Sequence, residues 1–123
     1  MTASPEGLVV LAYDGLLRLL SEAREACAGR DYESVNDRLV RAQGLISELD
    51  DALDSRAGDV AGALRSLYAY LGTRLLDANA RKDVNVIDEV ASLLRPLRDA
   101  WGVAAEYAGI DEERQTGERG GDR

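Results

Sequence analysis

The sequence predicts an all-α fold, a single antiparallel four-helix bundle of up-down topology, and three observations carry that reading. Leu, Ala and Val dominate the apolar residues, with Phe absent and Trp present once; Leu and Ala are strong helix formers. Apolar residues recur at three- and four-residue steps in four successive blocks, the period of a helix face and not of a strand. Helix-start residues stand ahead of these blocks at Ser4, Asp31 and Asp83.

The first helix opens on Ser4 as N-cap, Pro5 at the first helical position and Glu6 beside the positive end of the dipole. Leu8, Ala12, Leu16, Leu19 and Ala23 form one apolar series, and Val9, Tyr13, Leu17 and Leu20 a second beside it. The apolar face is therefore wide. The helix is expected to end near Gly29, which suits a left-handed C-terminal position. Gly15 falls in mid-helix, where it costs about 1 kcal/mol relative to Ala; it either admits another helix closely or is simply tolerated.

Asp31 caps a second helix expected from Tyr32 to about Leu53. Its stripe, Val35, Leu39, Ala42, Ile46, Leu49 and Leu53, alternates steps of four and three, the seam of helices packed at shallow angles. The run DDALDSRAGD, Asp50 to Asp59, breaks the pattern and supplies a loop. A third helix is expected from near Asp59 to about Lys82, with Leu64, Tyr68, Leu71, Leu75 and Ala78 on its seam.

Asp83 caps the fourth helix, with Ile87, Val90, Leu94, Leu97, Trp101 and Ala104 as its core series. Pro96 removes one backbone hydrogen bond and crowds the Ser92 carbonyl, so a kink is expected near residues 92–96. From Gly109 on, GIDEERQTGERGGDR has one aliphatic residue among many charges. Residues 1–108 are expected to form the bundle. Residues 109–123 read as a disordered acidic and polar tail, with room for a short extra helical turn. Four helices of about 22–24 residues on short turns make one cooperative unit.

A net charge of −8 over 123 residues argues against nucleic acid and anionic membranes, which call for a basic face. No stretch approaches the roughly 20 apolar residues that span a bilayer, and the N-terminus lacks the pattern of a signal peptide. The expectation is an acidic cytosolic protein. Cys27 is the one cysteine and reads as a small buried residue of the first helix.

The sequence holds no histidine. That removes the usual general base, the commonest metal ligand and the Glu-x-x-His pairs of di-iron bundles. A Ser or Cys nucleophile would lack an imidazole partner. The acidic run Glu48 to Asp54 lacks calcium-loop spacing and reads as a solvated helix end. No enzymatic activity, cofactor or metal is expected.

The third helix carries more apolar surface than one seam needs. Tyr68 and Tyr70 lie two positions apart, a rotation of roughly 200°, so their rings face different ways. By spacing, Tyr68, Leu71 and Leu75 lie on the seam, while Tyr70 and part of the Leu67 and Leu76 surface point elsewhere. Either the surplus is a docking face for an amphipathic partner, or the bundle buries everything and Tyr70 snorkels at the surface. Asn79 suits both the turn toward Asp83 and a bond to a partner's backbone.

Four stretches in series, ASPEGLVVLAYDG (Ala3 to Gly15), RAQGLISELDDALD (Arg41 to Asp54), LYAYLGTRLLDANARKD (Leu67 to Asp83) and IDEVASLLRPLRDAW (Ile87 to Trp101), resemble the flagellar secretion chaperone FliS family. The likeness covers nearly the whole helical region in order and spacing. It implies a cytoplasmic chaperone that binds the disordered C-terminal segment of flagellin. It also implies that the chaperone prevents premature polymerisation and delivers flagellin to the export gate without ATP or cofactor, as a monomer or weak homodimer. The candidate partner-binding residues are Tyr13, Leu16, Ile46, Leu49, Leu53, Leu67, Tyr68, Tyr70, Leu71, Leu75 and Asn79.

Two departures stand out. Family members carry an N-terminal arm before the Ser-Pro pair, where this sequence has Met1, Thr2 and Ala3, and proline is not expected at position 96. Two other readings stay open: a regulatory module for a transcriptional regulator or anti-sigma factor, and an assembly scaffold that uses the same surface to oligomerise.

Overall fold

The computed structural model describes residues 4–53 and 58–121, with side chains as far as residue 110. Four helices follow one another: α1 Pro5–Ala28, α2 Tyr32–Asp51, α3 Asp59–Arg81 and α4 Val84–Gly121. Each packs on its sequence neighbours, and α4 closes back on α1, while the diagonal pairs α1/α3 and α2/α4 make no close backbone approach. That is an up-down bundle with the helices at the corners of a square. The α1/α4 and α1/α2 seams are the most extensive and α3/α4 the slimmest.

Local chemistry sets the ends. The Ser4 hydroxyl accepts from the Gly7 amide at 3.1 Å, with Pro5 in the first helical turn. Asp31 accepts from the Ser34 amide at 3.2 Å, and Asp83 from the Asn85 amide at 2.9 Å. These are side-chain caps for amides the helix itself leaves unpaired. The α1/α2 turn departs from expectation. Gly29 keeps a negative φ, and Arg30 takes the left-handed conformation at φ 57°, with the Asp31 amide donating to the Ala26 carbonyl at 2.9 Å. Lys82 does the same after α3, at φ 51°.

The core is apolar throughout, with no buried polar residue among those described. From α2 come Val35, Leu39, Ala42, Ile46 and Leu49; from α3 Ala61, Tyr68, Leu71, Leu75 and Ala78; from α4 Val86, Ile87, Val90, Ala91 and Leu94. On α1 the buried residues are Tyr13, Leu16, Leu20 and Ala23, a line drawn from both of the expected series, while Leu8 is exposed. Leu8 lies about 140° around the helix from Tyr13, too far to share its stripe. Leu53, Leu64, Leu97, Trp101 and Cys27 are partly buried against this core. Burial raises the Cys27 thiol pKa, away from a reactive thiolate.

Helix α4 runs unbroken across Pro96. In place of the tail expected after residue 108, its backbone continues as helix to Gly121; Asp122 and Arg123 lie outside the described residues. Glu112, Glu113, Arg114 and Gln115 are mostly strong helix formers, and low hydrophobicity does not prevent a helix from extending an existing one.

Candidate partner-binding groove

Two antiparallel helices at adjacent corners of a bundle leave a furrow between them, and its depth depends on the side chains that flank it. Along α2, Gln43, Ile46, Ser47 and Asp50 share one face. Along α3, Arg65, Tyr68, Ala69, Gly72, Thr73 and Leu76 share the facing one. Together they line a groove of ≈ 360 Å³. Its floor is low because Ala69 is small and Gly72 has no side chain; a Cβ built at Gly72 meets nothing within 4 Å. Leu76 is 61% exposed on its rim.

A second hollow of ≈ 320 Å³ lies at the end of the bundle where α1 begins and α2 stops. Val9, Leu49, Leu53, Val60, Leu64 and Trp101 make it mainly apolar. Tyr68 lines both hollows, so groove and cup share a wall. A docking surface of this shape offers mixed apolar and polar contacts along α2/α3 and a mainly apolar end.

Tyr68 is fixed from beneath. Its hydroxyl lies 2.6 Å from that of Tyr13, with either able to donate. Burial pushes both phenol pKa values up. Tyr68 is raised further by its bond to Tyr13 and by the nearby Asp50 carboxylate. Asp50 has one carboxylate oxygen, Oδ1, enclosed by protein and without a hydrogen-bond partner among the described residues.

The expected site residues divide into three groups. Ile46 and Tyr68 line the groove, and Leu49, Leu53 and Tyr68 line the cup. Tyr13, Leu16, Leu71 and Leu75 are fully buried in the core and present no surface to a partner. Leu67 is partly buried against that core. Tyr70, 46% exposed, turns away from the groove: its hydroxyl donates to Glu89 of α4 at 2.8 Å. Glu89 also holds Arg74 at 2.7 Å, so this polar cluster ties the slim α3/α4 seam. The Asn79 amide donates to Asn36 of α2 at 2.8 Å, and its carbonyl groups accept from Lys82, so it braces the α2/α3 end.

Sequence reasoning missed Gln43, Ser47, Asp50, Arg65, Ala69, Gly72 and Thr73. Their signal is positional: 43, 47 and 50, and 65, 69, 72 and 76, each follow helical spacing on one face. They are too mixed in polarity to register as an apolar stripe. Gly15 is not a point of close helix approach, since a Cβ there would meet Leu45 Cδ1 at 3.7 Å, an ordinary contact.

Among the described residues no three His, Cys, Asp or Glu side chains gather to hold a metal ion. Nor is any helix long and apolar enough to cross a membrane.

The sequence model of the family described as "Flagellar protein FliS" matches residues 1–108. The flagellar secretion chaperone FliS of Bacillus subtilis is 32% identical over 105 residues, 85% of this chain and 78% of that protein. The flagellar secretion chaperone FliSB of Pseudomonas aeruginosa is 37% identical over 100 residues, 80% of this chain and 79% of its own length. That of Salmonella typhimurium is 34% identical over 116 residues, 93% and 86% of the two chains.

Proposed function

Because the chain belongs to the FliS family of flagellar secretion chaperones, a non-enzymatic family with a role in flagellar export, we propose that its client is the C-terminal segment of flagellin, held along the α2/α3 groove and into the cup. The observation that carries this reading is the exposed furrow of mixed polarity floored by Ala69 and Gly72 and rimmed by Leu76, which runs into the mainly apolar cup. A disordered segment that turns helical on binding could lay its apolar face into such a furrow. Sequestered there, flagellin is kept from polymerising in the cytoplasm and is handed, as a complex, to the export gate.

Residues 1–108, the part matched by the family, form the functional unit. The chemistry is association alone. Ordering a disordered client costs about 2–5 kcal/mol of the gross interaction, so affinity is moderate for the area buried. Co-elution on a sizing column tests the reading. A C-terminal flagellin fragment from the same organism should travel with the chaperone, and the middle domain of flagellin should not. Retention of the middle domain, or of neither, contradicts it.

A further inference from the structure

We propose that Asp50 is the selectivity residue of the α2/α3 groove, its enclosed carboxylate oxygen turning outward to accept a hydrogen bond from an amide or hydroxyl side chain of the bound client. The proposal rests on the groove reading above.

Three observations converge on it. Asp50 Oδ1 is enclosed and finds no donor among the described residues. A buried acceptor in that state has lost its water and gained nothing in exchange, which is rare enough in folded proteins to need a reason. Asp50 also stands one residue from the end of α2, Tyr32–Asp51. There the exposed carbonyls make the helix end negative, and a carboxylate is disfavoured. The hydroxyl of Tyr68, which lines the same groove, lies 2.6 Å from that of Tyr13 and makes no bond to Asp50 Oδ1. Among the described residues, therefore, Asp50 breaks two local rules, and its enclosed oxygen has no partner to offset them. Such violations are expected where a site is kept ready for a partner.

Position sets the partner's chemistry. Ile46 lies one helical turn before Asp50 and lines the same groove. A client seated there presents an apolar residue against Ile46 and Ala69, and a donor about one turn away. Arg65 lines the groove as well and repels a lysine or arginine, so the donor is neutral: Asn, Gln, Ser or Thr.

The test pairs calorimetric titration of a C-terminal flagellin fragment with thermal unfolding, for wild type, Asp50→Leu and Asp50→Asn. Asp50→Leu should unfold at the same temperature or higher and bind about tenfold more weakly, the range expected for losing a hydrogen bond to a charged group. Asp50→Asn, which keeps an acceptor, should lose roughly half of that effect on a logarithmic scale. Alanine at the matching Asn, Gln, Ser or Thr of the fragment should weaken binding to wild type and not to Asp50→Leu. Unchanged affinity in both variants overturns the proposal. So does a lower unfolding temperature for Asp50→Leu, which would make the carboxylate a support of the fold. A wild-type protein that fails to bind the fragment overturns the groove reading itself, and Asp50's role with it.

Discussion

The hydroxyls of Tyr13 and Tyr68 meet at 2.6 Å across the diagonal of the bundle, joining α1 to α3, two helices whose backbones do not approach each other. Replacing either tyrosine by Phe leaves the other hydroxyl buried without its partner, at an expected cost of about 1–3 kcal/mol. The double variant should cost less than the sum of the two. Urea unfolding of the three variants measures this, and strict additivity would show that the pair is not coupled.

Leu75 and Leu76 are neighbours in sequence with opposite tasks. Leu75 is fully buried, and Leu76 stands on the groove rim. Leu75→Ala should destabilise the bundle by about 2–5 kcal/mol. Leu76→Ser should leave stability within about 0.5 kcal/mol while weakening the client by about tenfold, the burial of one leucine. Gly72→Phe should act as a plug: stability held or raised, since glycine is a poor helix former, and client binding lost. Unfolding and titration of the three variants separate the core from the groove.

Glycine stands where a helix does not need it and is missing where the chain bends left-handed. Gly15→Ala adds a methyl at ordinary contact distance from Leu45 and should stabilise the bundle by about 0.5–1 kcal/mol. Arg30→Gly relieves a non-glycine residue at φ 57° and should add up to about 1 kcal/mol, offset in part by glycine's freedom in the unfolded chain. A fall in thermal midpoint for either would contradict the geometry described.

The response to pH has two limbs. Hydrogen bonding to Arg98 lowers the Asp14 pKa, and Tyr70 and then Arg74 lower that of Glu89. A depressed carboxyl stabilises the fold above its unfolded pKa, and that gain fades as pH falls below about 4. Asp14→Asn combined with Glu89→Gln should flatten the acid limb of the thermal midpoint. The raised Tyr13 and Tyr68 work in the other direction. Their contribution is complete below about pH 10 and is lost above it as pH climbs toward the folded values. Absorbance titration should show the two buried phenols ionising late, together with unfolding, and apart from Tyr70, which its bond to Glu89 also raises.

The fold was legible wherever one apolar stripe stood alone. The α2 series from Val35 to Leu49 repeats by fours and threes, and every member is buried. On α1 two series overlap, and spacing could not choose between them; packing drew Tyr13, Leu16, Leu20 and Ala23 from both. The groove was less legible because it is built from what a core search discards: Gln43, Ser47, Thr73, a small Ala69 and a bare Gly72. Tyr70 read as surplus apolar surface, yet its hydroxyl belongs to a polar cluster with Glu89 that only the α3/α4 seam creates. The left-handed turn at Arg30 escaped notice because Gly29, one residue earlier, is the more obvious candidate.

The central claim is that the α2/α3 groove holds the export client. Calorimetric titration of the chaperone with the C-terminal flagellin fragment, at several temperatures and with Leu76→Ser alongside wild type, tests it most directly. The account expects one-to-one binding with a negative heat-capacity change, the mark of apolar burial, and a marked loss of affinity in Leu76→Ser. Binding that Leu76→Ser leaves untouched, or no binding by a bundle shown to be folded, would contradict it.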